Sequence, residues 1–153
     1  MRKLVVTLFA VAISYLSPVA HAADEIKASV AVRHAGDDRI GQKLAFALRE
    51  VVRASHGYQL VSGPSALFRV SLNTIDPEYE TKYKGIVTVA AVIITMRNFN
   101  EFEDGNPQTW YPIYLNSSVL MVGSDRVEDF AKSILADVDS AIEAYRADAR
   151  RKE

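Results

Sequence analysis

Ile86-Val87-Thr88-Val89-Ala90-Ala91-Val92-Ile93-Ile94-Thr95-Met96 is the stretch that decides the fold. Isoleucine, valine and alanine fill it, interrupted only by two threonines. A run this uniformly apolar and β-branched reads as a long strand with both faces covered, placed centrally in a sheet. Its eleven residues are too few for a membrane-spanning helix, which needs roughly 20.

Beyond it, Asn98 to Gln108 is an acidic connection containing Asp104-Gly105-Asn106-Pro107, and Trp110 to Val122 is a second long apolar strand. The two strands are expected to pair as a hairpin with a large loop. At Ser124-Asp125 a helix is expected to start, because Asp125 and Glu128 have the spacing of a capping box. Val127, Phe130, Ala131, Ile134, Leu135, Val138, Ala141, Ile142 and Tyr145 then form one apolar stripe. The charged end, residues 148–153, reads as a frayed tail.

On the other side, the polar loop Asp76–Gly85 follows an alternating strand in which Phe68, Val70 and Leu72 oppose Arg69, Ser71 and Asn73. Tyr58 to Val61 is a short strand, possible as the sheet's terminal one. Before it, Ile40, Leu44, Ala47, Leu48, Val51 and Val52 recur at helical spacing over Arg39–Ser55. Gly36-Asp37-Asp38 precede that helix with carboxylates able to cap it, and His56-Gly57 is expected to end it with a left-handed glycine. Lys27 to His34 alternates as the first strand, with Ala28, Val30 and Val32 on one side. The order is strand, helix, four strands, helix. It predicts an α+β fold over residues 23–147: a mostly antiparallel sheet of about five strands with two amphipathic helices on one face.

The N-terminus has the three parts of a secretory signal peptide. Arg2 and Lys3 are the positive start, Leu4 to Ala12 the apolar centre, and Ala20-His21-Ala22 the small-x-small cleavage site. Residues 1–22 are therefore expected to be removed near Ala22-Ala23, leaving a periplasmic or secreted domain with no stable membrane span. A retained anchor is the alternative, because Leu4 to Ala23 is uncharged. Ser14, Ser17, Pro18 and His21 weaken such a span.

The chain contains no cysteine, so it has no lipid acceptor, disulfide or thiolate chemistry. Without Arg2 and Lys3 the 18 Lys+Arg become 16 against 19 Asp+Glu, a formal charge of −3. That balance provides no electrostatic footprint for nucleic acid.

Val30-Ala31-Val32, the helix through Leu44 and Leu48, Tyr58-Gln59-Leu60-Val61 and Phe68-Arg69-Val70-Ser71-Leu72 occur in an order that resembles small periplasmic α/β domains. These are the domains of the curli-secretion channel family, the lipoprotein activators of penicillin-binding proteins and the amino-terminal part of the Tol-system propeller protein. The resemblance implies a non-enzymatic envelope protein that binds another protein. The absent lipid-acceptor cysteine is a departure from the lipoprotein families, and no functional residue is carried over.

Candidate chemistry is sparse. His34, Asp37 and Asp38 could serve a small hydrolase or a metal-dependent enzyme, but the two aspartates equally suit helix capping. His56 suits a position against helix carbonyls. Glu101, Glu103, Asp104 and Asn106 offer oxygens for calcium but lack EF-hand spacing, and a solvated hairpin tip explains them as well. No cofactor motif is present: there is no glycine-rich phosphate loop, and Ser62-Gly63-Pro64-Ser65 is not a nucleophile elbow. The aromatic residues Tyr79, Tyr83, Phe99, Phe102, Trp110 and Tyr111 fall in or beside loops, where they either anchor a partner or bury themselves. The sequence thus points to a non-catalytic exported binding or assembly-accessory protein whose partner is another envelope or exported protein. Self-pairing through the edge strand Tyr58–Val61 is a further expectation.

Overall fold

Alternating apolar residues require a surface to cover them, and the helices supply it on one side. The computed structural model describes residues 27–99 and 110–151. The expected signal peptide, Phe102 and the acidic positions Glu101, Glu103, Asp104 and Asn106 lie outside the described residues. The elements in chain order are β1 (Ala28–Ala35), α1 (Arg39–Ala54), β2 (Tyr58–Leu60), β3 (Phe68–Ile75), β4 (Val87–Phe99), β5 (Trp110–Gly123) and α2 (Val127–Arg151).

The fold is α+β. Its five-stranded sheet has the order β2-β1-β3-β4-β5. The sheet is mixed: β1 runs parallel to both β2 and β3, while β3, β4 and β5 are antiparallel neighbours. The parallel pair β1–β2 follows from connectivity, since a helix between two strands returns the chain in the original direction. β2 is one edge of the sheet and β5 the other.

Val30, Val32, Phe68, Val70, Leu72, Ala90, Val92, Ile94 and Met96 share one buried face. Ile40, Leu44, Leu48 and Val52 of α1, with Ala131, Ile134, Val138 and Ile142 of α2, complete that core. Full burial of each large aliphatic side chain contributes about 1.5–3 kcal/mol before entropy is counted.

The expectation that β4 is covered on both faces is corrected. Thr88, Ala90, Val92, Ile94 and Met96 are buried, but Val87, Val89, Ala91, Ile93 and Thr95 are only partly so. Both helices lie on the first side, and among the described residues the second has only lateral shelter from neighbouring strands.

The helix ends also differ from expectation. Ser55 is extended, with φ −72°. 

Its ψ of 141° turns the chain out of the helix while its N–H donates to the Val52 carbonyl at 3.2 Å. That bond, and not a left-handed Gly57 or His56, closes α1; the positive-φ glycines of the described chain are Gly36, Gly63 and Gly85. At α2 the Phe130 N–H donates to the Arg126 carbonyl at 3.1 Å, so Arg126 opens the helix and the box expected from Asp125 is displaced. α2 then continues through Arg151, over residues that the charge pattern assigned to a tail. Among the described residues, no helix is long and apolar enough to cross a membrane.

Candidate functional surface

The loop of residues 76–85 is built around one carboxylate. Asp76 is buried, and its Oδ1 accepts from Glu78 N–H at 2.9 Å while its Oδ2 accepts from Gly85 N–H at 2.8 Å. One side chain therefore ties both ends of the loop, and Gly85 supplies the left-handed turn, φ +77°, into β4. Between those ties the Thr81 hydroxyl donates to Glu78 and accepts from Tyr83 N–H. The loop does not bury its rings: Tyr79 is 65% exposed and Tyr83 is 52% exposed. Lys84 Nζ stands 3.7 Å from the Tyr79 ring centre, a cation–π contact at the surface.

Tyr111 is also exposed and lies opposite Asn98 in the β4–β5 ladder, where Phe99 pairs with Trp110. The two aromatic regions do not converge. Loop 76–85 enters β4 at Val87, whereas Phe99 ends it; thirteen residues at about 3.3 Å each hold the two ends about 40 Å apart.

Between them lies the sheet face that the helices leave open. Ile75, Val89 and Met121 form one row across β3, β4 and β5, and Ala91 and Val119 belong to the next. Val119 is 73% exposed, Met121 67% and Ile75 66%. Ile86, between the tyrosine loop and β4, is exposed too. Sequence reasoning missed this surface. The available signal was that β4 and β5 are apolar at both parities while two helices on one side can cover only one.

His34 and Asp38 are used structurally. His34 Nε2 is 2.8 Å from the Thr74 hydroxyl, and Asp38 caps α1 by accepting from Gly41 N–H at 2.5 Å. Asp37 is exposed and stands apart. Burial alone would raise the Asp38 carboxyl; the Thr74 hydroxyl, the Gly41 amide, the Thr88 hydroxyl and the His34 ring outweigh it and hold the pKa below the usual value. Asp38 Oδ2 is buried beside those hydroxyls, without a hydrogen bond of normal geometry. A side chain at Gly36 or Gly41 would strike Thr74, so strand and helix backbones close tightly over this cluster. Among the described residues, no three His, Asp or Glu side chains are grouped to hold a metal ion.

The sheet edges differ in character. At β2, the Tyr58 hydroxyl donates to Asp139 of α2, which ties the short edge to the helix layer. β5 presents fourteen residues with no charged side chain among them.

No protein-family model matches the chain, and no curated protein matches it. Among solved structures it is similar to the hypothetical protein CT253 from Chlamydia trachomatis, at 10% identity and a TM-score of 0.33, over 62% of this chain and 71% of that one. A likeness of that size carries no argument about function.

Proposed function

We propose that this chain is a non-catalytic, exported binding or assembly-accessory protein that meets another envelope protein through the open sheet face and the tyrosine loop beside it. One observation carries the reading: Ile75, Ile86, Val119, Met121, Tyr79 and Tyr83 are all exposed at one end of the molecule. Exposed apolar side chains that form a continuous patch mark interaction surfaces in soluble proteins. The spatial separation of the two aromatic regions favours a contact through the sheet face and loop 76–85 over one that uses both loops at once. The reading of export rests on Arg2 and Lys3, the apolar centre and Ala20-His21-Ala22.

Affinity capture from envelope extracts tests the surface, with wild type compared against Val119→Ser plus Met121→Ser and against Tyr83→Ala. Both variants are expected to lose a captured protein while keeping the wild-type melting temperature. Identical captured sets would sink the proposal. The mass of the purified protein, with or without residues 1–22, tests export.

A further inference from the structure

β1 is covered along only part of its outer side. It runs from Ala28 to Ala35, but β2 pairs with Ala28, Ser29 and Val30 alone. On its other side β1 is paired with β3 from Val30 to Ala35. Past Leu60, therefore, the outer side of β1 is an open strand edge. Backbone parity says which groups that edge presents. The Ala28 N–H donates to the Gly57 carbonyl at 3.0 Å, and the Val30 carbonyl accepts from Val61 N–H at 2.9 Å, both on the β2 side. Strand alternation turns the N–H and C=O groups of Val32 and His34 the same way, and those of Arg33 and Ala35 towards β3. One atom agrees directly: the Val32 carbonyl accepts from Arg49 Nη2 at 3.3 Å. β2 stops short of the other three groups.

The edge opens into a groove of about 500 Å³ lined by Val32, Arg33, Arg49, Arg53, Leu60 and Gly63 among others. Its charged lining is three arginines and no carboxylate. They are not equivalent. Arg53 is paired with Glu50 on its own helix, so its charge is already answered. Arg49 meets only a neutral carbonyl, and Arg33 is exposed with no ion pair among the described residues. Arg33 and Arg49 therefore leave positive charge on both sides of the edge, Arg33 from the strand and Arg49 from α1.

We propose that a partner protein adds an acidic extended segment to this edge, continuing the line of β2 beside Val32 and His34. The incoming backbone completes the hydrogen bonds that β2 leaves unmade, the mode of strand addition to a sheet edge. Its residue opposite Arg33 faces the open side of the sheet, where directly opposed side chains of unlike charge attract. The adjacent residue, opposite Val32, faces α1. There the incoming backbone supplies an N–H to the Val32 carbonyl in place of Arg49, and the released guanidinium pairs with a carboxylate. Two adjacent carboxylates thus serve opposite faces, as the alternation of a strand requires. Charge complementarity chooses this occupant, because a second copy of the edge would set Arg33 and Arg49 against themselves.

β3 and β4 stand between this edge and Val119 and Met121 of β5, so the inference goes beyond the surface proposed above and fails separately from it. Its test is NMR amide hydrogen exchange on the isotope-labelled full chain, with a peptide of threonine and valine around two central glutamates. The Val32 and His34 amides are expected to gain protection at saturation, while those of Arg33 and Ala35, already turned to β3, stay unchanged. Arg33→Gln and the peptide with both glutamates replaced by glutamine are each expected to weaken binding about tenfold or more, the loss of charge-assisted hydrogen bonds. A peptide with proline on either side of the glutamates lacks the N–H groups a ladder needs and is expected to give no protection. Because Arg33 is exposed, Arg33→Gln is expected to melt with wild type, which separates lost binding from unfolding.

Unchanged Val32 and His34 amides at millimolar peptide would overturn the proposal, as would equal binding of the glutamine peptide. Equal binding of the proline peptide would replace strand addition by a surface ion pair and overturn it too. Protection of the two amides on concentrating the chain without peptide would overturn it in favour of a second copy. Binding to anionic phosphatidylglycerol vesicles without binding to the peptide would overturn it in favour of a lipid surface. If the peptide fails but Val119→Ser plus Met121→Ser still loses its captured protein, only the edge inference falls. If the peptide protects both amides while capture is indifferent to those substitutions, the edge stands and the sheet-face reading falls.

Discussion

A Cβ atom on Gly41 would stand 2.0 Å from the Thr74 hydroxyl oxygen. Glycine inside a helix ordinarily weakens it by about 1 kcal/mol relative to alanine. Here the missing side chain lets the first turn of α1 seat against β3, so the usual gain from alanine reverses.

Gly41→Ala is therefore expected to destabilise the protein by about 1–3 kcal/mol, the cost of overpacking a closed site. Gly57, whose Cβ would meet nothing within 4 Å, is the contrast. Gly57→Ala should change stability by less than about 0.5 kcal/mol. Urea unfolding of both variants checks the pair; equal midpoints would contradict the packing described for Thr74.

Two neighbours on α1 separate core from surface. Leu44 is fully buried between sheet and helices, whereas Phe46 is 63% exposed. Leu44→Ala is expected to cost about 2–5 kcal/mol by leaving a cavity. Phe46→Ala, although it deletes more atoms, should cost less than about 0.5 kcal/mol. Thermal melts of the two variants would show the order reversed if α1 were rotated from the face described.

Asp38 predicts an acid dependence. Its folded-state pKa lies below the ordinary aspartate value, so the unfolded chain takes up the proton first. The stabilisation is fully present above the unfolded value, near 3.9, and is lost as pH falls through the lower folded value. Asp38→Asn keeps a capping side chain and removes the titration. Its denaturation midpoint should fall less than that of wild type between about pH 5 and pH 3. A steeper fall in the variant would be inconsistent with a carboxylate held ionised at the α1 cap.

Tyr58 predicts the opposite limb. Burial first, then the hydrogen bond and charge of Asp139, raise its hydroxyl above the ordinary value. The unfolded chain therefore ionises first, near pH 10, and the stability from this contact is lost as pH rises through the folded value. Tyr58→Phe should cost about 0.5–1 kcal/mol at neutral pH, a modest figure for an exposed bond, and flatten the alkaline decline. Guanidinium titrations at neutral and alkaline pH measure both effects.

Most of the element order was legible in the sequence because one-dimensional periodicity reports which residues need cover. Phe68, Val70 and Leu72 lie on the buried face, as their alternation requires, and Ile134 and Val138 lie on the buried stripe of α2. Termini were less legible. Ser55 and Arg126 end or open their helices through backbone bonds to Val52 and Phe130, and any residue type supplies those groups.

Candidate sites were legible in parts. Tyr79 and Tyr83 stand exposed on the loop that composition marked, while His34 and Asp38 meet at Thr74, forty residues from His34 along the chain. No local pattern relates that threonine to them.

The sequence by itself determined an α+β chain with two one-faced helices, a capped α1 and a cysteine-free core, because each follows from residue type and spacing along the chain. Only the tertiary structure decided which apolar positions stay uncovered. Val89, Ala91, Val119 and Met121 are as apolar as their buried neighbours, and their exposure depends on both helices choosing the same side of the sheet. The same long-range choice of strand order brings Arg33, Arg69 and Arg97 together from three separate strands.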